Sequence, residues 1–175
     1  MEAATRIIVI QGLSAPTAGI AKEAGVANGS LFTYFETKKD LFNALYLELK
    51  EEMASAAMKG LPEGVEIRKQ FFHVWKNWTN WAITYPEKRR ALAQLGVSDE
   101  ITFETRVAAH KLMMGIAELL ECGRANGPMS KTPRAFVATI MNSVAEATMD
   151  FMTQDPVHAM KHCREGFDAM WRMIA

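Results

Sequence analysis

The side chains with most to offer chemically lie together in Asn28-Gly29-Ser30-Leu31-Phe32-Thr33-Tyr34. Asn28, Ser30 and Thr33 carry short polar groups that donate and accept hydrogen bonds. On one short helix such groups suit base edges or phosphates, and the Thr33 methyl suits thymine. Gly29, with no side chain, lets another backbone approach closely. The plainer alternative is that Asn28 and Ser30 only cap a helix. A second cluster is His158, His162 and Cys163. Two histidines four apart with a cysteine beside them can begin a zinc site. They are too few to complete one, and Cys163 also fits a helix-packing pattern, so no metal is assigned. No nucleophile–base motif, glycine-rich phosphate loop or paired-carboxylate arrangement is present. Asp99-Glu100 reads as negative charge at a helix start. No enzyme activity and no cofactor are expected.

The polar cluster needs elements to hold it out. Pro16 stands where the first turn of a helix tolerates proline. Ile20, Ala21 and Ala24 follow on one face at helical spacing. Gly25 suits the left-handed conformation that stops a helix, and Val26 reads as an apolar plug in the turn. A second short helix starts near Asn28 and carries Leu31 and Phe35 inward. Two short helices joined by a glycine turn form a helix-turn-helix, whose second helix is the one laid in a DNA major groove.

Around this pair the chain reads as all-α, with about nine helices and no strand alternation. Residues 3–11 form a first helix ending at Gly12. Thr37 and Asp40 make a capping box that starts a long helix with Leu41, Leu45, Leu49 and Met53 as its stripe, ending near Gly60-Leu61-Pro62. Further helices are expected over 63–85, 86–96, 98–124, 133–153 and 156–173. The stretch 135–145 is almost uncharged, which predicts a helix buried nearly all round. The domain junction is placed near residue 46: a helix-turn-helix DNA-binding domain over 1–46, and a C-terminal helical ligand-binding and dimerisation domain over 47–175.

Composition limits the rest. In 175 residues, 20 Lys and Arg balance 20 Asp and Glu. Residues 1–46 are also neutral: Arg6, Lys22, Lys38 and Lys39 against Glu2, Glu23, Glu36 and Asp40. Any grip on DNA must therefore rest on the placement of a few groups rather than on bulk charge. No apolar run is long enough to cross a membrane, and no signal peptide is read. Two cysteines suit a reducing compartment, so the chain is expected to be cytoplasmic. Twelve methionines and four tryptophans fit either a Met-rich core or a cavity for an apolar ligand. Near the end, Met160, Cys163, Phe167, Met170 and Ile174 step by three and four. The preceding helix offers Phe136, Ile140, Val144, Ala147 and Phe151. These seams either pair with their copies in a second chain as a four-helix bundle or pack within one subunit.

The residues from Ala3 to about Leu45 resemble the TetR family of one-component transcriptional regulators. The likeness rests on Ala3-Ala4, Ile7-Ile8, Gly12, Ile20-Ala21, Ala24-Gly25-Val26, Gly29 to Phe35, Lys38 and Leu41. Beyond residue 46 it is one of architecture. The resemblance implies a homodimeric repressor on a palindromic double-stranded DNA operator, released by a small-molecule effector. It implies that Tyr34 and Lys38 hold phosphates, where Thr17 at the start of the preceding helix can donate as well, on either side of the Asn28, Gly29, Ser30 and Thr33 cluster. It also implies an effector pocket in the C-terminal domain. Candidate walls are Phe71, Trp75, Trp78, Phe103, Met113, Ile116, Met141 and Phe151, with His110, Asn142 and His73 as polar contacts, a lining suited to an apolar or aromatic molecule. Three departures stand out. The first helix begins close to Met1, Phe32 replaces a usual tyrosine, and Ala18 replaces a usual polar or basic residue. They leave open an alternative: a helical small-molecule binder whose DNA-binding head no longer functions.

Overall fold

The computed structural model describes residues 1–175 and is all-helical. Ten α-helices follow in order: α1 (Glu2–Gln11), α2 (Thr17–Glu23), α3 (Asn28–Tyr34), α4 (Lys38–Met58), α5 (Ile67–Thr84), α6 (Pro86–Gly96), α7 (Phe103–Leu112), α8 (Met114–Arg124), α9 (Arg134–Gln154) and α10 (Ala159–Ile174). A 3-10 turn, Pro156–His158, leads into α10.

The chain divides into two compact units. One comprises residues 1–52 and 85–112, the other residues 53–84 and 113–175. The unit that contains the helix-turn-helix is thus larger than the 1–46 segment, because α6 and α7 belong to it.

In the first unit, α1 packs on α2 and α6, and α2 on α3. Ile8, Ile20, Leu41, Phe42, Leu45, Leu49 and Leu95 are its largest fully buried side chains. The capping box at the start of α4 closes as the sequence predicts. Thr37 N–H donates to Asp40 Oδ2 at 3.0 Å, and Asp40 N–H donates to Thr37 Oγ1 at 3.1 Å. The expected helix over 98–124 is not continuous. α7 starts only at Phe103, where Thr102 Oγ1 accepts Thr105 N–H at 3.2 Å. The preceding loop is pinned by Asn43 of α4, whose Nδ2 donates to the Glu100 carbonyl (2.8 Å) and whose Oδ1 accepts Thr102 N–H (2.9 Å). At the other end the helix breaks at Met113, whose backbone (φ −92°, ψ 1°) separates α7 from α8.

In the second unit, α5, α8, α9 and α10 pack on one another. Phe71, Phe72, Trp75, Phe167 and Trp171 form an aromatic cluster with ring centroids 5.0–6.4 Å apart. Such edge and offset contacts add to the area they bury. Arg124, 6% exposed, donates to the Met129 and Thr132 carbonyls (2.5 and 2.7 Å) and to Glu121 (2.9 Å), closing the loop of residues 125–133. α9 is uncharged over 135–145 yet is not buried all round. Val137, Met141, Ala145, Thr148, Met149 and Met152 face inward, while Phe136 (55% exposed) and Phe151 (58%) stay open.

Candidate nucleic-acid interface

Local geometry around α2 and α3 follows from the turn. Ala24 ends α2 and Gly25 takes φ 70°, a region only glycine enters without strain. Val26 N–H then donates back to the Ala21 carbonyl at 3.0 Å. Val26 is 45% exposed, so it rims the turn rather than plugging it. Asn28 is the first residue of α3 and not its cap; the cap position is Ala27, with no side-chain hydrogen bond. The Asn28 amide is therefore not spent on the helix end.

Leu31 is buried and holds α3 to the unit, leaving the opposite side open. Asn28, Gly29, Thr33 and Tyr34 are exposed, and Thr17, Ser30 and Lys38 are half-exposed. Tyr34 is the most projecting large side chain of the head at 81% exposure. Phe32, beside it, is 42% exposed and brings no hydrogen-bonding group. The Lys38 ammonium sits 5.2 Å above the fully buried Phe42 ring, which orients it at the start of α4. α3 carries no charged side chain. Arg6 donates to Glu23 Oε1 at 2.7 Å. That hydrogen bond holds the guanidinium firmly protonated and offsets one of the head's cations. Lys22 and Lys39, both exposed, are with Lys38 the other basic groups of residues 1–46.

The candidate effector residues do not form one group. Trp78, Met113 and Ile116 share an apolar cluster with Ala57, Val74, Met58, Leu61 and Leu119. Phe71 and Trp75 belong to the aromatic cluster, which Trp75 joins to Trp78 edge-on at 6.0 Å. Trp75 Nε1 donates to the Cys163 carbonyl at 3.1 Å. Met141 is buried on α9, whereas Asn142 and Phe151 are exposed. Phe103, 76% exposed, and His110 lie in the other compact unit. The His73 ring, half-exposed, reaches the Lys59 carbonyl at 2.8 Å.

The seam residues also separate. Cys163, Phe167, Met170 and Ile174 are at most 3% exposed, enclosed against α5 and α9 of their own chain, and leave nothing for a partner to touch. Burial pushes the Cys163 thiol up, with Thr79 Oγ1 3.5 Å away. Phe136, Ile140, Val144, Ala147, Phe151 and Met160 keep accessible surface. His158 Nδ1 and His162 Nε2 both engage Asp155 Oδ2, at 2.9 and 3.0 Å. Their hydrogen bonds, His162 first, hold the Asp155 carboxyl below its ordinary range. No three His, Cys, Asp or Glu side chains are arranged to hold a metal ion. Tyr46, Lys50 and Arg106 carry no motif that marks them as functional in the sequence. Lys50-Glu51-Glu52 looks like a solvated run, and only its spacing of four from Tyr46, one residue beyond the Leu45 and Leu49 stripe, marks Lys50 out.

A polar, open second helix held by one buried leucine after a glycine turn is the geometry of helix-turn-helix DNA-binding regulators. Residues 1–45 match the model described as bacterial regulatory proteins, tetR family. The whole fold is similar to that of a tetR family transcription regulator from Shewanella sp. PV-4. The two share 27% identity and a TM-score of 0.86, with 97% of this chain and 93% of that one covered. A TetR family regulator from Marinobacter aquaeolei VT8 has 19% identity and a TM-score of 0.81, covering 99% and 92%. FadR from Bacillus subtilis, solved in complex with stearoyl-CoA, has 15% identity and a TM-score of 0.72, covering 99% and 97%. Residues 1–45 thus match the tetR family's DNA-binding segment, and the chain as a whole has the fold of TetR family transcription regulators. No helix is long and apolar enough to cross a membrane.

Proposed function

We propose that the protein is a cytoplasmic homodimeric repressor that leaves a palindromic operator when a small apolar or aromatic molecule binds. Residues 1–46 supply the DNA contacts, and residues 47–175 hold the effector and the partner. The observation that carries this reading is the open face of α3. Asn28, Gly29, Ser30 and Thr33 are available to base edges, while Tyr34, Lys38 and Thr17 flank them for phosphates. Phosphate contacts set register and base contacts set sequence. A two-fold operator needs two heads, and the open stripe of α9 with Met160 is the surface that supports pairing. Binding moves the equilibrium between DNA-binding and released states only through the effector's different affinity for each. FadR from Bacillus subtilis, which has the same fold, is solved in complex with stearoyl-CoA, a molecule that joins a long apolar chain to a charged head.

Selection from random duplexes tests the reading, followed by titration of the enriched site at several salt concentrations. An enriched palindrome is expected. Tyr34→Ala with Lys38→Ala should weaken binding about tenfold across sequences and flatten the salt slope by about one for the lost lysine. Undiminished binding by the double variant would overturn the site assignment. The neutral head, Phe32 and an uncharged α3 favour a second reading, a small-molecule binder with a silent head. No enriched duplex is the outcome that selects it.

A further inference from the structure

We infer that Tyr46 and Lys50 form an anion-recognising site, and that the effector carries a carboxylate. This rests on the effector-binding reading above, extends its effector-holding part by one residue to include Tyr46, and specifies its ligand class. Lys50 lies one turn beyond Tyr46 on α4, its ammonium 5.7 Å from the Tyr46 ring centroid. Tyr46 is only 7% exposed and Lys50 is half-buried. Neither Lys50 Nζ nor the Tyr46 hydroxyl has an ion-pair or hydrogen-bond partner within the chain. Every sealed polar side-chain atom of the protein does have one. Both tips must therefore open onto space that solvent, or a ligand, can reach.

The charges around this pair are one-sided. Glu52, two residues on, is taken by Lys88 at 2.6 Å. Arg106 of α7 acts electrostatically on the Tyr46 phenol, opposing the rise that burial causes. Its own donors are spent on neutral carbonyls, Gly96 at 2.9 Å and Ser98 at 2.8 Å. Burial alone pulls the Lys50 ammonium down, with no carboxylate acting to restore it. A half-enclosed ammonium without an anion is costly, and an incoming anion removes that cost. One free lysine with one phenol hydroxyl matches a monoanion better than a phosphate dianion, and charge-assisted hydrogen bonds to both oxygens fix its orientation.

The test is calorimetric binding of a graded panel of alkyl and aryl carboxylic acids, each beside its neutral primary amide. Wild type should prefer acids by about tenfold or more, the size of a charge-assisted pair. Lys50→Met should reduce the preference to under about twofold, and Lys50→Arg should retain most of it. Without ligand, Lys50→Met should unfold at the same or a higher urea concentration, because an uncompensated charge has gone. Equal binding of acids and amides by wild type overturns the proposal and leaves the effector reading standing. An acid preference that survives in Lys50→Met also overturns it, as does a Lys50→Met variant that unfolds earlier, since the ammonium then already has its partner. If neither acids nor amides bind, the effector reading falls with it.

Discussion

Single atoms decide how closely α9 and α10 approach. Gly166 on α10 faces Thr148 on α9, and a Cβ at Gly166 would overlap the Thr148 side chain, with Cγ2 only 2.9 Å away. Thr148 is itself fixed, its hydroxyl donating to the Val144 carbonyl at 2.7 Å. Gly166→Ala should therefore destabilise by about 1–3 kcal/mol, the range for overpacking. Urea unfolding checks this, and Thr148→Ala in the same chain should recover part of the loss. Not every residue of this kind was legible beforehand. The apolar spacing of Cys163, Phe167 and Met170 is plain in the sequence, but periodicity does not say whether a stripe meets its own chain or a copy. The glycine that lets the seam close inward lies within the same helix and passes unnoticed as a weak helix former. Asn28 shows the reverse error. An asparagine before an apolar residue reads as a cap, yet the chain enters α3 one residue earlier and leaves the amide free.

At the scale of elements, local signals fared better than distant ones. The Thr37–Asp40 box lies within four residues, and the structure closes it. Thr37→Ala should cost about 1 kcal/mol by removing the side chain that caps α4, measured by thermal or urea unfolding. The break between α7 and its preceding loop was invisible for the opposite reason. Asn43, almost sixty residues earlier, supplies the polar groups that hold residues 100–102 out of a helix. The open face of α9 was half legible. A lack of charge marks a face that avoids water, but does not tell core from interface. Phe151 and Ala147 lie on that face, and replacing both with glutamate should put like charges at its centre. Sedimentation should then show a single-chain species, while the inward residues of α9 keep the subunit folded. An unchanged dimer would move the interface elsewhere.

At the scale of the whole chain, stability should carry an acid-sensitive contribution from Asp155. Its carboxyl is held below the ordinary range, so folding gains from its ionised form at pH above the ordinary carboxylate value of about 4. That gain disappears as pH falls through the lower, folded-state value. Asp155→Asn should be less stable than wild type near neutrality, and the gap should close progressively in acid. Unfolding curves across that range check it, and a constant gap would remove the carboxylate from the account. The division into two compact units has a consequence for how this molecule can be watched. All four tryptophans, Trp75, Trp78, Trp81 and Trp171, fall in the unit of residues 53–84 and 113–175. All three tyrosines, Tyr34, Tyr46 and Tyr85, fall in the other. The protein is thereby partitioned optically without any label. Red-edge excitation, which tyrosine does not absorb, therefore reports on the unit of residues 53–84 and 113–175 alone, so tryptophan emission separates events in that unit from events in the other.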